Sequence, residues 1–443
     1  MSKLPTDPSR RSFLVQSSAA LAGGALLGDR LAAAVSTEAA PPRNPMGDEE
    51  IRVALVGCGG RGGGAASQAL STEGKVKLVA MADAFSDRLE GTLQNLSSGH
   101  GDKVAVPAER RFSGFDAFQK AIDCDVDLVI LATPPGFRPQ HFEYAIGKGR
   151  HVFMEKPVAV DGPGIRKVLK AAEESKRRNL KVGVGLQRHH DPRYQETVKR
   201  LQDGAIGAMK MFRAYWNGAG VWVNPRREGQ TEMEYQMRNW YYFNWLCGDH
   251  IVEQHIHNLD VCNWVMGGYP VEAQGMGGRQ VRTGIDHGEI FDHHMVEFAY
   301  ADGTKLLSQC RHIPGCANNV SEHVIGATGR ADIGGGRIEG PGGWSWRWRG
   351  EGVDPYQVEH DVLFAAVRND TPHNEAENGA KSTMTSIFGR MATYSGQVLT
   401  WDQAINSDLA LLPAAFDWKA DPPTLPDAAG RYPIPMPGST RAY

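Results

Sequence analysis

Residues 51–62 constrain the fold of this 443-residue chain more than any other stretch. An apolar run at 53–56 leads directly into the pattern Gly57-x-Gly59-x-x-Gly62. This pattern is typical of a buried strand, a tight glycine turn and the start of a helix that binds a dinucleotide pyrophosphate on its free N–H groups. An ordinary glycine turn is the alternative, because the chain contains 52 glycines.

A second apolar run, at 76–82, ends at Asp83. In the dinucleotide-binding pattern an acidic residue about 20 residues beyond the glycines binds the ribose hydroxyls. Asp83 therefore favours NAD over NADP, since a carboxylate repels a 2′-phosphate. The alternative is that Asp83 is only a turn residue at the end of a strand.

Further apolar runs alternate with helical patterns up to residue 186, which indicates an α/β fold with a parallel, doubly wound sheet. In such sheets ligands bind at the carboxyl ends of the strands. We therefore predict a cofactor site built from the glycine loop and from residues near those strand ends. Its predicted members are Gly57, Gly59, Arg61, Gly62, Asp83, Thr133, Pro134, His141, Glu155 and Lys156.

Beyond about residue 207 the pattern changes to apolar–polar alternation at 209–216, 295–300 and 305–309. Asp302-Gly303 separates the last two runs and is typical of a hairpin turn. We predict an N-terminal Rossmann dinucleotide-binding domain and a C-terminal α+β domain with a large open antiparallel sheet. The predicted boundaries are 50–185 and 186–416, with a surface tail at 417–443 and final helices that pack back on the first domain.

The first 34 residues have the composition of an export signal. Arg10 and Arg11 precede an apolar, small-residue run at 17–28, and 32–34 offers a small-residue cleavage site. This arrangement predicts a twin-arginine signal, and the run is too short for a permanent membrane helix. We expect a periplasmic or otherwise exported protein, with residues 35–49 as a linker.

The formal net charge is −3, and no block of Lys and Arg is present. These features argue against nucleic acid or an anionic membrane surface as a partner. A small soluble molecule is the expected partner, and no integral membrane span is expected after cleavage of the signal.

The order of the motifs resembles the Gfo/Idh/MocA family of oxidoreductases. The resemblance rests on the glycine loop, Asp83, residues 132–134, Glu155-Lys156-Pro157 and a His-x-x-Asp motif at His257 and Asp260, and it covers roughly residues 50–410. It implies NAD-linked hydride chemistry on a carbohydrate or cyclitol. It also implies a homo-oligomer, a dimer or tetramer, formed through the sheet of the second domain.

Lys156 and His257 are the predicted catalytic residues. The Lys156 ammonium is expected to project from the cofactor edge of the sheet and polarise a substrate hydroxyl, and a neutral His257 is expected to accept its proton. Asp260 is expected either to orient His257 or to be only a polar helix residue. A surface lysine paired with Glu155 is the alternative for Lys156.

The second motif departs from the usual Asp-x-Gly-x-His-x-x-Asp of the family, because Glu253 replaces the first Asp and His255 replaces the Gly. His255 is expected to narrow the pocket or add a second base. Arg188 is expected to bind substrate or, equally, to form a structural salt bridge. The predicted substrate-binding residues are Arg188, His189, Glu253, His255 and Asp260.

We predict no metal site, because hydride transfer to NAD requires none. The spacing of His250, Glu253 and His257, with His255 nearby, leaves a metal cluster open as the alternative. At residues 292–294, strand alternation sends His293 and His294 to opposite faces, so at most one could join such a cluster.

The leading hypothesis is an exported oxidoreductase that oxidises a sugar hydroxyl through tightly bound NAD. A first alternative uses NAD cyclically through a keto-sugar, which results in glycoside cleavage, elimination or epimerisation. A second alternative, from another class, is a non-catalytic sugar-binding protein.

Overall fold

The computed structural model describes residues 45–443. The predicted export signal, and most of the predicted linker, lie outside these residues. Within this range, no helix is both long enough and apolar enough to cross a membrane.

The first sheet is parallel and contains six strands in the order β3-β2-β1-β4-β5-β6. Its strands are β1 Ile51–Val56, β2 Val76–Asp83, β3 Arg111–Ser113, β4 Leu128–Leu131, β5 His151–Met154 and β6 Val182–Val184. This order reverses direction between β1 and β4, which is the point where dinucleotides bind in doubly wound sheets. The predicted Rossmann fold is therefore confirmed.

Five helices connect these strands and cover both faces of the sheet. They are α1 Gly60–Ser71, α2 Ser86–His100, α3 Ala117–Asp123, α4 Arg138–Gly147 and α5 Gly162–Arg177. Strands β1, β4 and β5 are buried along almost their whole length, which explains why their sequences are continuous apolar runs. The buried face of α1 consists largely of Gly and Ala, so this helix packs closely on the sheet.

The second sheet contains nine strands in the order β14-β13-β12-β11-β7-β10-β9-β8-β15. Its strands are β7 Met209–Gly218, β8 Glu272–Gly278, β9 His293–Ala299, β10 Lys305–His312, β11 Asn319–Gly326, β12 Arg330–Asp332, β13 Arg337–Glu339, β14 Ser345–Arg347 and β15 Leu399–Thr400. The predicted antiparallel sheet is correct except at its centre, where β7 and β10 pair in parallel. Alternation within a strand identifies the buried face but carries no information on the direction of the neighbouring strand.

Eight further helices belong to the remainder of the chain. They are α6 Pro192–Gln202, α7 Glu232–Arg238, α8 Asn244–Cys247, α9 His250–Glu253, α10 Ile256–Met266, α11 Pro355–Arg368, α12 Ala376–Ser395 and α13 Trp401–Ile405. Leu363, Phe364 and Val367 of α11 pack into the same apolar cluster as α1.

Helix α12 joins the two sheets. It is buried on nearly all sides and contacts α5 on one side and β8 and β9 on the other. Thr383 of α12 accepts a hydrogen bond from the Val158 N–H, just after the Glu155-Lys156-Pro157 segment. Gly389 lies where α12 passes closest to the second sheet, because a Cβ there would stand 2.9 Å from Cζ of the buried Phe298.

We expect Gly389→Ala to destabilise the protein by about 1–3 kcal/mol, because the added methyl overpacks a filled core. Gly91→Ala, in α2, is the matched control, since a Cβ at Gly91 meets no atom within 4 Å. There alanine should stabilise by about 0.5–1 kcal/mol through its higher helix propensity. Urea unfolding of both variants measures the two effects, and equal shifts of the same sign would contradict the packing at Gly389.

Candidate active site

The three pattern glycines of the loop at 57–62, which are Gly57, Gly59 and Gly62, have different surroundings. Gly57 has φ +97°, and a Cβ there would stand 2.5 Å from the Ala132 backbone. A Cβ at Gly62 would overlap the Gly57 carbonyl oxygen, whereas a Cβ at Gly59 would meet no atom within 4 Å. Gly57 and Gly62 are therefore required by the protein itself, while the space beside Gly59 is available to a ligand. Since α1 has no side-chain N-cap and no acidic residue in its first turn, this helix end suits an anion.

Asp83 lies directly beside this loop. Its carboxylate accepts hydrogen bonds from the Cys58 N–H at 2.6 Å and the Phe85 N–H at 2.9 Å. Burial raises the pKa of Asp83, and these two hydrogen bonds partly oppose the rise. The position of Asp83 at the end of β2 is the one at which the dinucleotide pattern places the acid that binds the ribose.

A cavity of about 560 Å³ opens over the loop and Asp83. This volume lies in the range of small-molecule and cofactor sites. Eight of the predicted cofactor-binding residues line it: Gly57, Gly59, Arg61, Gly62, Asp83, Thr133, Pro134 and His141. Glu155 and Lys156 are not among its lining residues.

The opposite wall of the cavity comes from a segment that the cofactor prediction missed. This wall is formed by Trp222, Asn224, Met237, Arg238 and Trp240. The density of aromatic residues between 216 and 245 is the only sequence signal for this wall.

Two sets of contacts hold that wall and the C-terminal segment against the first domain. Arg238 forms two hydrogen bonds of 3.1 Å with the Asp87 carboxylate and lies over the Phe85 ring. Trp418 packs on Phe85 and Phe115, with ring centroids 5.1 and 4.5 Å apart. Phe85 and Phe115 both line the cavity, so these contacts brace its rim.

Arg138, a buried residue that the sequence prediction also missed, connects two strand ends. Its Nε donates to the Glu155 carbonyl at 2.9 Å, and its Nη1 donates to Thr133 Oγ1 at 3.2 Å. His141 lies 3.3 Å from the same hydroxyl, and burial, together with the Arg138 charge, lowers its pKa to about 3. His141 is therefore neutral at physiological pH.

Glu155 forms an ion pair with another residue of the protein. Its carboxylate pairs with Nε of Arg61 from the glycine loop at 2.5 Å, and Arg61 also lies over the Tyr356 ring. Glu155 thus fixes the loop to the end of β5. The Lys156-Pro157 bond that follows is cis.

Lys156 pairs with Glu253, not with Glu155. Its Nζ donates to Glu253 Oε1 at 2.9 Å and to the Glu253 carbonyl at 2.5 Å, and both side chains are only 13% exposed. An ammonium group has three N–H donors, so one remains for a substrate oxygen. Glu253, which was predicted to bind substrate, therefore positions this ammonium.

His257 is nearly buried, stacks on Trp216 and has no hydrogen-bond partner at Nδ1. Burial, reinforced by the positive charges of Lys156 and Arg188, holds the pKa of His257 well below its ordinary value. The imidazole is therefore neutral near pH 7, which is the form that accepts a proton.

The hypothesis that Asp260 orients His257 is wrong. The Asp260 carboxylate instead accepts hydrogen bonds from His189 at 2.7 Å and from Ser382 and Asn378. Burial by itself would lower the pKa of His189, but the Asp260 carboxylate outweighs it and raises that pKa. Because its carboxylate is fully engaged and buried, Asp260 supports the fold beneath the site.

Arg188 and His255 also bond within the protein. Arg188 forms a salt bridge with the fully buried Glu322, which agrees with the structural alternative for this arginine. His255 is completely buried and bonds Ser308 at 2.8 Å, and burial lowers its pKa to about 3. Neither side chain lines the cavity.

The metal cluster that the helical spacing left open does not assemble. Glu253 holds Lys156, His255 bonds Ser308, and His257 stacks on Trp216. His250 alone of the four lies beside other potential metal ligands, which come from outside that set.

Parallel-sheet topology, the glycine loop and the acid at the end of β2 together define a dinucleotide-binding protein of the Rossmann class. Comparison with known families agrees. Residues 51–184 match the oxidoreductase family with an NAD-binding Rossmann fold, and residues 194–332 match the Gfo/Idh/MocA C-terminal domain. The two ranges together cover more than half of the chain, which therefore belongs to the Gfo/Idh/MocA family of NAD-dependent oxidoreductases.

Individual relatives act on sugars or cyclitols. The chain is 25% identical over 257 residues to an inositol 2-dehydrogenase of Rhizobium meliloti, which covers 58% of this chain and 67% of that protein. It is 28% identical over 251 residues to a glycosyl hydrolase family 109 protein of Streptomyces coelicolor, covering 54% and 50% respectively.

A solved structure shares the fold. The scyllo-inositol dehydrogenase of Lactobacillus casei, with bound NAD(H) and scyllo-inositol, superposes with a TM-score of 0.61 and 19% identity. The match covers 80% of this chain and all of that one.

We expect Gly59→Ala to fold normally but to lose NAD binding by at least about tenfold, because its Cβ occupies only the space where the pyrophosphate approaches. Gly62→Ala should instead destabilise the protein itself, because its Cβ overlaps the Gly57 carbonyl. Thermal unfolding without NAD and a fluorescence titration with NADH separate the two effects. Normal NADH affinity in Gly59→Ala would contradict this assignment of the loop.

Proposed function

We propose that the protein is an exported oxidoreductase that removes a hydride from a sugar or cyclitol hydroxyl carbon and keeps its NAD bound between turnovers. The observation that carries this proposal is that a positioned ammonium, Lys156, lies just beyond the carboxyl end of β5 and close enough to His257 for its charge to lower the pKa of that imidazole. Relatives whose names specify inositol oxidation support the substrate class.

The residues around the cavity fit NAD. In the proposed complex the pyrophosphate lies in the open space at Gly59 and Asp83 binds the ribose hydroxyls, which the empty space beside Gly59 and the position of Asp83 in the cavity lining support. When bound, NAD⁺ supplies the acceptor for the hydride.

In this proposal, Lys156 and His257 bind the substrate hydroxyl group and remove its proton. The remaining N–H of Lys156 donates to the substrate hydroxyl oxygen and stabilises the negative charge that develops there. Glu253 fixes the direction of the ammonium through two hydrogen bonds. A ring nitrogen of His257 accepts the hydroxyl proton, because the lowered pKa keeps the imidazole in its neutral form before the reaction.

Export and retention of NAD are linked in this proposal. A twin-arginine signal in the sequence favours transport of a folded chain, and free NAD is not expected outside the cytoplasm. The wall at 222–240 and the packing of Trp418 on the cavity rim support a slowly released cofactor. Lysine replacement of both Arg10 and Arg11 should leave the protein in the cytoplasm, as cell fractionation would show.

A second candidate is a cyclic reaction, in which the substrate is oxidised, undergoes elimination or epimerisation beside the new carbonyl, and is then reduced again. The similarity to a glycosyl hydrolase family 109 protein favours this possibility. It needs no second substrate to reoxidise NADH.

Retention of NAD can be measured directly. We expect extensively dialysed protein to release close to one NAD per chain on denaturation, as detected by mass spectrometry, and Gly59→Ala to release far less. Protein that is free of nucleotide and active only with added NAD would contradict retention. Incubation of the loaded enzyme with sugars and glycosides then distinguishes the two reactions: a single NADH burst indicates dehydrogenation, whereas continued product formation without added NAD indicates the cycle.

Lys156→Ala should lower kcat by about 10²–10⁴-fold, the usual contribution of a positioned acid–base group, and leave NAD content unchanged. Lys148→Ala, at a lysine paired with Asp123 on the surface, is the control and should keep full activity. Sugar binding without turnover in the unmodified protein would indicate the non-catalytic alternative.

The pH profile tests the state of His257. Because its pKa is lowered, the imidazole remains the proton-accepting form below pH 6.5, so kcat/KM for oxidation should show no inflection near that value. His189→Gln serves as the control, since the raised pKa of His189 places its own titration above the ordinary value. A half-maximal point at the ordinary histidine pKa that persists in His189→Gln would show that His257 is not depressed.

A further inference from the structure

We propose that Asp249, His250 and His294 form a binding site for a divalent transition-metal ion with the ligand preference of Zn²⁺. Oδ1 of Asp249 lies 2.8 Å from Nδ1 of His250 and 3.3 Å from Nε2 of His294. All the donor atoms lie within 4.8 Å of one another, and the three side chains are buried. Two imidazoles and one carboxylate are a common ligand set for zinc.

The His294 tautomer presents a lone pair to this centre. Thr393 donates its hydroxyl proton to the Arg390 carbonyl, so its oxygen accepts the hydrogen bond of 2.9 Å from Nδ1 of His294. Nε2 of His294 therefore carries the lone pair, which faces the Asp249 carboxylate and has no hydrogen-bond partner. Hydrogen bonds of this kind on the outer nitrogen are typical of metal-binding histidines.

The His250 imidazole also has ring nitrogens without hydrogen-bond partners. It is completely buried, and neither of its ring nitrogens forms an aligned hydrogen bond. Buried polar groups are normally hydrogen-bonded, and lone pairs that converge in a dry site repel each other unless a cation lies between them.

The carboxylate is held in place on its other side. Oδ2 of Asp249 accepts hydrogen bonds from the Tyr394 hydroxyl at 2.5 Å and the Phe291 N–H at 3.0 Å, while Oδ1 accepts the His250 backbone N–H at 2.5 Å and has lone-pair capacity left on the side of the two imidazoles. The Asp249 backbone has φ +77° and ψ 161°, a conformation that is essentially restricted to glycine. The fold therefore maintains this aspartate at a cost in backbone strain.

Two of the three donor-atom separations are close to those around a tetrahedral ion. Bonds of about 2.0–2.1 Å place two ligands of a tetrahedral zinc about 3.3 Å apart. The Asp249–His294 separation already has this value, and the Asp249–His250 separation needs to widen by only about 0.5 Å. A water molecule would complete the four ligands.

The site lies at the start of α9, the short helix that ends at Glu253, which holds Lys156. A bound ion would attach the start of α9 to β9 through His294. We assign it a positioning role for Glu253, since the three ligands touch neither Lys156 nor the cavity. This site differs from the helical set weighed from the sequence, and His294 is the one histidine of the 292–294 stretch that joins it.

His293 provides a matched control. It is the neighbour of His294 on the opposite face of β9, it is 41% exposed, and it pairs with Asp292. Replacing His293 therefore removes an imidazole from the same strand and leaves the proposed centre intact.

The test is a Co²⁺ titration of the chelator-treated, NAD-loaded protein, followed by visible absorption and by competition with Zn²⁺. We expect one Co²⁺ per chain with a tetrahedral spectrum, at least about tenfold weaker binding in His294→Ala, and unchanged binding in His293→Ala. Thr393→Val removes only the orienting hydroxyl and should weaken binding about 10–100-fold, so the test does not depend on the folding of His294→Ala.

Failure of Co²⁺ to bind the unmodified protein, or equal binding by the His293 and His294 variants, would overturn the site. Asp249 and His294 would then form an imidazolium–carboxylate pair without a metal ion. The readout is the metal spectrum, so it is independent of the proposed sugar oxidation.

Discussion

The ion pair between Lys156 and Glu253 is the contact on which the architecture of the site depends. Lys156 lies two residues beyond the end of β5 and precedes the cis bond to Pro157. Glu253, nearly a hundred residues later, is the last residue of the short helix α9. Two hydrogen bonds to one residue leave the ammonium little freedom. A buried pair of this kind contributes more to the direction of the charge than to stability, because desolvation offsets much of the attraction. The parallel sheet and the second domain thus meet at the atom assigned to polarise the substrate.

Burial determines the protonation states around this pair. His257, His255 and His141 all have lowered pKa values, because each imidazole is removed from water and several lie near Arg or Lys. His189 is the exception, since it has the Asp260 carboxylate as a direct partner. One residue type therefore has lowered pKa values at three positions and a raised pKa at a fourth, and the difference comes from the neighbours of each ring.

The cavity and the proposed metal site have a common feature, which is that each is completed by a part of the chain distant in sequence. Arg238 and Trp418 brace the rim over Phe85, and His294 of β9 reaches the start of α9. The proposed retention of NAD and the proposed positioning of Glu253 by a metal ion both depend on these long-range contacts. The second domain therefore supplies part of the cavity rim and a ligand of the proposed metal site, in addition to a surface for the substrate.

The sequence by itself determined the class of fold, the glycine loop, the acid at the end of β2, and Lys156 and His257 as candidates, because each follows from local periodicity or from a short motif. Local periodicity carries little information on the Gly-, Ser- and Thr-rich first turns of α12, because burial between two sheets stabilises them. Only the tertiary structure decided that β7 and β10 run parallel, that Asp260 serves His189, that Arg188 serves Glu322, and that Asp249 and His294 converge on His250. The partner of a buried polar group depends on which strands and helices pack together. The sequence pattern of a single strand or helix does not specify which other elements pack against it.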